Sequence, residues 1–172
     1  MQHLTAAALA ATFLCPALVG QSTPAKGIEA RYLKREYQIP MRDGTRLFTA
    51  VYTPRDTTRS HPILLYRTPY SVAPYGPDAY PRRVGPTDEF AELDYIFVAQ
   101  DVRGRYRSEG RFVHMTPYKP VKSGPKDVDE TTDTWDTIDW LLENVGPNNG
   151  RVGVWGVSYS GFFATMGLID AH

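Results

Sequence analysis

The sequence predicts an α/β fold: a mostly parallel sheet with helical cover, entered through an antiparallel hairpin. Three observations carry this. Two strand-like runs, Leu33 to Ile39 and Thr45 to Tyr52, flank Pro40-Met41-Arg42-Asp43-Gly44, where Asp-Gly supplies the positive φ of a tight turn. Two short runs, Pro62 to Tyr66 and Tyr95 to Gln100, are apolar on both faces, as strands in the middle of a sheet are. A helical pattern then separates the second of them from a last apolar strand, and such alternation argues for parallel pairing.

Composition bounds the partners. The 172 residues carry 19 Lys plus Arg and 19 Asp plus Glu, which leaves no net charge to draw in nucleic acid or an acidic membrane. Cys15 is the only cysteine, so a chain that has lost its N-terminal run has neither a disulfide nor a cysteine zinc site. No cofactor and no metal are expected.

Leu4 to Gly20 is apolar apart from Thr5 and Thr12 and bears no charge. Small residues, Pro16 and Gly20 lead into the polar Gln21-Ser22-Thr23-Pro24, the pattern of a secretory signal over residues 1–20 cleaved near Gly20. The protein is accordingly expected to be secreted or periplasmic. A membrane anchor is the alternative, but the run falls short of the roughly 20 apolar residues a span needs. Residues 21–31 read as a polar linker, and 32–172 as the folded part.

Beyond the hairpin and the strand at Pro62, Arg67-Thr68-Pro69-Tyr70 opens a proline-, glycine- and tyrosine-rich excursion over 71–87 that has no period and reads as loop. Asp88 to Leu93 is a short helix candidate. Asp101 to Arg111 leaves the next strand as a charged, glycine-punctuated loop, in which Asp101 and Arg103 are expected to brace the loop rather than touch substrate. In the helix that follows, Trp135, Ile138, Leu141, Leu142 and Val145 recur at three- and four-residue steps, and Asp127, Asp129, Glu130 and Asp133 crowd its start, where the dipole favours negative charge. Asp133, Asp136 and Asp139 are expected at the helix start or on its exposed face. Trp135 and Trp140 read as packing residues, only the first on the apolar stripe. His61 and His114 read as surface residues. Gly146-Pro147 stops the helix.

The rest is organised around Arg151 to Phe163. An apolar strand climbs to Gly156, Ser158 follows at the apex, and an apolar segment expected to be helical continues to residue 172. A serine between glycines is by itself an ordinary turn. Here a strand precedes it, a helix follows, and Gly156, Ser160 and Gly161 are small enough for the two backbones to pass closely, which is what a nucleophile elbow requires. A hairpin feeding a sheet with such a serine at a strand tip is the entry half of an α/β-hydrolase fold.

Four motifs in order carry a resemblance: Arg67-Thr68-Pro69-Tyr70, Gln100-Asp101-Val102-Arg103-Gly104, Asp133-Thr134-Trp135-Asp136-Thr137-Ile138-Asp139-Trp140-Leu141, and Gly150 to Gly153 leading to Gly156-Val157-Ser158-Tyr159-Ser160-Gly161. From about Leu33 to its last residue the chain resembles the X-Pro dipeptidyl-peptidase and cocaine-esterase-like serine hydrolases, and within them is most similar to the α-amino acid ester hydrolases. It departs from that subgroup at Ser160, where an acidic residue is expected. The resemblance implies Ser158 as nucleophile, with the backbone N–H of Tyr159 and the hydroxyl of Tyr70 as oxyanion donors. It further implies hydrolysis of an ester or amide of the α-amino acid or β-lactam acyl type, or alternatively X-Pro dipeptidyl-peptidase or general esterase and acylase activity.

The partner expected is a small ester, amide or short-peptide substrate, with neither nucleic acid nor membrane, and a homo-oligomer is compatible with this. A catalytically inactive hydrolase fold used for binding would look identical up to Ser158. The Arg103 to Arg111 stretch suggests nucleic-acid contact, which the balanced charge opposes. A serine hydroxyl needs a histidine base and an acid to orient it, and after Ser158 only Asp170 and His172 remain. On a continuous helix they would lie roughly 18 to 21 Å from its start. The chain is therefore expected to be the N-terminal part of a longer hydrolase, inactive alone.

Overall fold

A computed structural model describes residues 27–172; the expected signal over 1–20, its cleavage point and Cys15 lie outside them. One helical turn, Ile28–Arg31 (α1), precedes β1 (Tyr32–Pro40) and β2 (Arg46–Pro54), which pair antiparallel with Ile39 opposite Leu47. The turn between them closes as its residues dictate. Met41 N–H donates to Thr45 O at 2.8 Å, the Asp43 carboxylate accepts from Thr45 N–H at 3.1 Å, and Gly44 takes φ +86°.

β3 (His61–Thr68), β4 (Ile96–Asp101) and β5 (Asn148–Trp155) complete a sheet of order β1-β2-β4-β3-β5. β3 pairs parallel with both β4 and β5, while β2 is antiparallel to β4, so four of the five strands point one way and β2 alone opposes them. Strand periodicity divides the apolar side chains between two layers. Ile63, Leu65 and Val98 face α2 (Glu130–Asn144), which delivers Ile138 and Leu141, with Val145 just beyond its end. Leu64, Phe97, Phe48 and Tyr52 face the opposite side.

Among the described residues no α-helix longer than the single turn α1 covers that opposite side. The 71–93 segment takes the place of one, contributing Val72, Val84 and Ala91, with a 3-10 helix at Asp88–Leu93. Pro74, Pro77, Pro81 and Pro86 remove the donors a longer helix would need. The segment is instead tied to the sheet edge by Lys34 on β1. This lysine is buried, and its Nζ donates to the carbonyl oxygens of Pro74, Gly76 and Ala79 at 2.6, 2.8 and 2.9 Å while pairing with Glu36 at 2.9 Å.

α2 starts on a capping box: Asp129 accepts from Thr131 N–H and Thr132 N–H, and Thr132 Oγ1 accepts from Asp129 N–H. Its buried face differs from the sequence expectation. Trp140 packs against the core with its ring 5.0 Å from Tyr37, whereas Trp135 is the exposed one, lying against His172 and Arg42. Asp133 lies in the first turn of α2, as expected, but is 1 % exposed, because Arg67 on β3 and Arg103 in the loop after β4 reach it. His61 is likewise buried, since β3 begins one residue before its apolar run and pairs there with Asn148.

α3 (Tyr159–Met166) packs on the sheet beside α2, with Gly167 against Thr134. It does not run on to residue 172 as a helix. After Met166 the chain turns, and Asp170 and His172 are drawn aside to Lys122 at 3.2 Å and Asp139 at 3.2 Å.

Candidate active site

The site is built at the ends of β3 and β5, adjacent parallel strands whose C-terminal tips share one edge. β5 stops at Trp155, α3 starts at Tyr159, and Ser158 between them adopts φ +57°, ψ −123°. A non-glycine residue at positive φ costs on the order of 1–3 kcal/mol and persists only where its surroundings fix it. Gly156 makes the fixing possible: a Cβ there would sit 2.1 Å from Ser160 O, so only glycine lets strand and helix pass this closely. Ser158 is exposed, and its carbonyl accepts from Gly161 N–H at 2.9 Å, which starts the helix. The N–H of Tyr159, first in that helix, has no intrahelical partner.

Tyr70 follows β3 by two residues and is 62 % exposed, with its ring edge-on to that of Tyr159 at 6.1 Å. The sheet thus brings the Tyr70 phenol and the elbow to one place. The Tyr159 ring stacks on Phe163 at 5.3 Å, and its hydroxyl meets His114 Nδ1 at 2.8 Å while accepting from Met115 N–H at 2.9 Å. His114 is exposed, as expected, but its link to Tyr159 has no sequence signal. Ser160, the departure from the subgroup pattern, is buried and donates to Tyr66 Oη at 3.1 Å.

Beneath this edge lies a charged layer. Arg67, 2 % exposed, donates to Gln100 Oε1 at 2.7 Å and Thr134 Oγ1 at 2.8 Å. It approaches Glu130 at 3.1 Å and Asp133 at 3.8 Å as ion pairs, although Arg67 Nη2 and Glu130 Oε2 complete no hydrogen bond. Arg103 bridges Asp133 and Asp43 at 2.6 and 2.7 Å. Asp101 is fully buried and braces a separate loop. Both residues therefore have the bracing role expected of them, each with different partners. Burial pushes the carboxyls of Glu130 and Asp101 up; the Arg67 charge opposes it in the first, hydrogen bonds from Tyr75, Arg107 N–H and Val72 N–H in the second.

Asp43 and Asp129 shift the other way. Burial raises both, and Arg103 with Thr45 at one, Thr131 with Lys119 N–H at the other, outweigh it. A carboxyl whose folded pKa is depressed contributes stability above its unfolded value of 3.8, and that stability is lost as pH falls through the lower folded value. The urea midpoint is therefore expected to fall on acidification below about pH 4, and more shallowly in Asp129→Asn than in the parent. Equal slopes would discount Asp129. Among the described residues no cluster of three or more His, Cys, Asp or Glu is placed to hold a metal ion.

Residues 43–172 match the family model described as X-Pro dipeptidyl-peptidase (S15 family). The chain belongs to that family. It is 38% identical over 125 residues to the cocaine esterase of Rhodococcus sp. (strain MB1 Bresler), covering 72% of this chain and 19% of that one. Among solved structures, an α-amino acid ester hydrolase matches with 40% identity and a TM-score of 0.71, over 94% of this chain and 27% of that one. An aminopeptidase from a marine sediment archaeon, Thaumarchaeota archaeon, matches with 34% identity and a TM-score of 0.70, over 92% of this chain and 26% of that one. This S15 chain thus spans about a quarter or less of the length of these relatives. The resemblance carried by the four motifs is borne out, and so is the α/β-hydrolase class.

Proposed function

We propose that the whole protein hydrolyses a small ester or amide by way of an acyl-enzyme on Ser158. One observation carries this: Ser158 is held exposed in a strained conformation at the tip of β5, at the mouth of a helix, beside Tyr70. Ser158 Oγ adds to the substrate carbonyl carbon, and the negative charge forming on the carbonyl oxygen is met by Tyr159 N–H and the Tyr70 hydroxyl. The leaving alcohol or amine departs with the serine proton, relayed through a histidine. Water then repeats the addition and releases the acid.

Among the described residues, His61 bonds to Asp56 O, His114 to Tyr159 and His172 to Asp139, and none bonds to Ser158. The histidine base and its acid accordingly come from outside residues 27–172. The α-amino acid ester and β-lactam acyl class is the proposed substrate, supported by the similarity to an α-amino acid ester hydrolase and an aminopeptidase. Export of the protein, on the strength of the apolar run Leu4 to Gly20, is part of the same proposal.

A fluorophosphonate probe is expected to label the whole protein on the peptide carrying Ser158, whereas residues 1–172 alone give no turnover of an activated amino-acid ester. Labelling elsewhere, or no labelling as a binding protein would give, overturns the nucleophile. Turnover by residues 1–172 that Ser158→Ala abolishes overturns the external base.

A further inference from the structure

The Tyr70 phenol is largely exposed, so apart from its edge-on contact with the Tyr159 ring its position is set by the main chain that carries it. That main chain is irregular. Tyr70 N–H donates to Thr68 Oγ1 at 3.1 Å, and Ser71, directly after, takes φ +81°. What holds the turn comes from the end of β4 and the loop beyond it. Asp101 Oδ1 accepts from Val72 N–H at 3.0 Å and its Oδ2 accepts from Tyr75 Oη at 2.9 Å, with Arg107 N–H approaching Oδ2 at 3.4 Å. Tyr75 Oη lies 2.9 Å from Ser71 Oγ, which also accepts from Ala73 N–H at 3.1 Å. On the other side of Tyr70, Arg105 Nε donates to Pro69 O at 2.9 Å.

The tyrosine is bracketed by the last residue of β4, Asp101, and by Arg105 in the loop that follows it. A fully buried carboxylate is costly to desolvate, and this one spends its acceptors on the segment from Tyr70 to Tyr75 and on the start of its own loop. An oxyanion donor, moreover, is useful only where the charge develops, and a displacement of about 1 Å can cost about 10²-fold in rate. We propose that Asp101 is a positioning residue for the Tyr70 hydroxyl, acting through Val72 N–H and Tyr75. This rests on the oxyanion role given to Tyr70 above and extends it to a side chain that does not touch substrate.

The test is a double-mutant cycle in the whole protein on an activated amino-acid ester, with rates expressed per fluorophosphonate-titrated site so that unfolded molecules do not count. Tyr70→Phe is expected to lower kcat about 10²-fold. Asp101→Ala lowers kcat by about tenfold or more with KM held within about twofold. Asp101→Asn keeps an acceptor for Val72 N–H and offers a donor that Tyr75 Oη can accept, and restores kcat to within a few-fold of the parent. Asp101→Ala added to Tyr70→Phe slows the enzyme no further, because the hydroxyl being positioned is gone. If the two defects multiply, or Asp101→Ala leaves kcat per site unchanged, the positioning role falls while Tyr70 keeps its own. If Tyr70→Phe retains full kcat, the oxyanion role itself falls, and the inference with it.

Discussion

Ser158→Ala in the whole protein is expected to lower kcat about 10⁶-fold, the scale seen when a serine nucleophile acting in a unit with its base is removed. Stability supplies a sharper companion measurement. Ser158 sits at φ +57°, where alanine is no more comfortable than serine but glycine is unstrained. Ser158→Gly should therefore be as inactive as the alanine variant and yet unfold at higher urea, by about 1 kcal/mol. A position where the best residue for folding is useless for activity is one where strain is maintained for chemistry. A residual rate above about a thousandth of the parent in either variant would remove Ser158 from the mechanism.

Arg67→Met is expected to cause the largest loss of folding stability, about 3–5 kcal/mol by urea unfolding, since it strips the cation from a buried layer and leaves its acidic partners without it. The guanidinium links the end of β3 to Gln100 on β4 and Thr134 on α2, so the loss would be felt in the packing of three elements. Burial already raises the Glu130 carboxyl, and without Arg67 it takes up a proton more readily still. The deficit should accordingly shrink as pH falls, because a neutral acid needs no counter-charge. A deficit below about 1 kcal/mol would mean that water or a rearranged side chain substitutes for Arg67.

The strands were legible because alternation and short apolar runs are local signals, and the tight turn at Asp43-Gly44 was equally so. The elbow was legible because Gly156 meets a steric demand that no other residue meets. Other features depended on contacts between distant segments. Asp133 looks like a surface acid until Arg67 and Arg103 arrive from 66 and 30 residues away to bury it. On α2 it is Trp140, against Tyr37, and not Trp135 that points at the core, a difference the three- and four-residue spacing does not reveal. Residues 71–87 carried no period because that part of the layer is held by Lys34 and Asp101 rather than by a helical repeat. The bracing role of Asp101 was readable from its place after a strand. The residue it braces was not.

Lys34 has one more consequence, for covalent chemistry. Its amine is enclosed by three carbonyl oxygens and a carboxylate, so an acylating reagent in solution finds it only when the cover formed by residues 74–79 lifts away. Its modification rate would then count breathing events in the stretch just past Tyr70. A lysine that reports loop opening is thereby built into the edge strand.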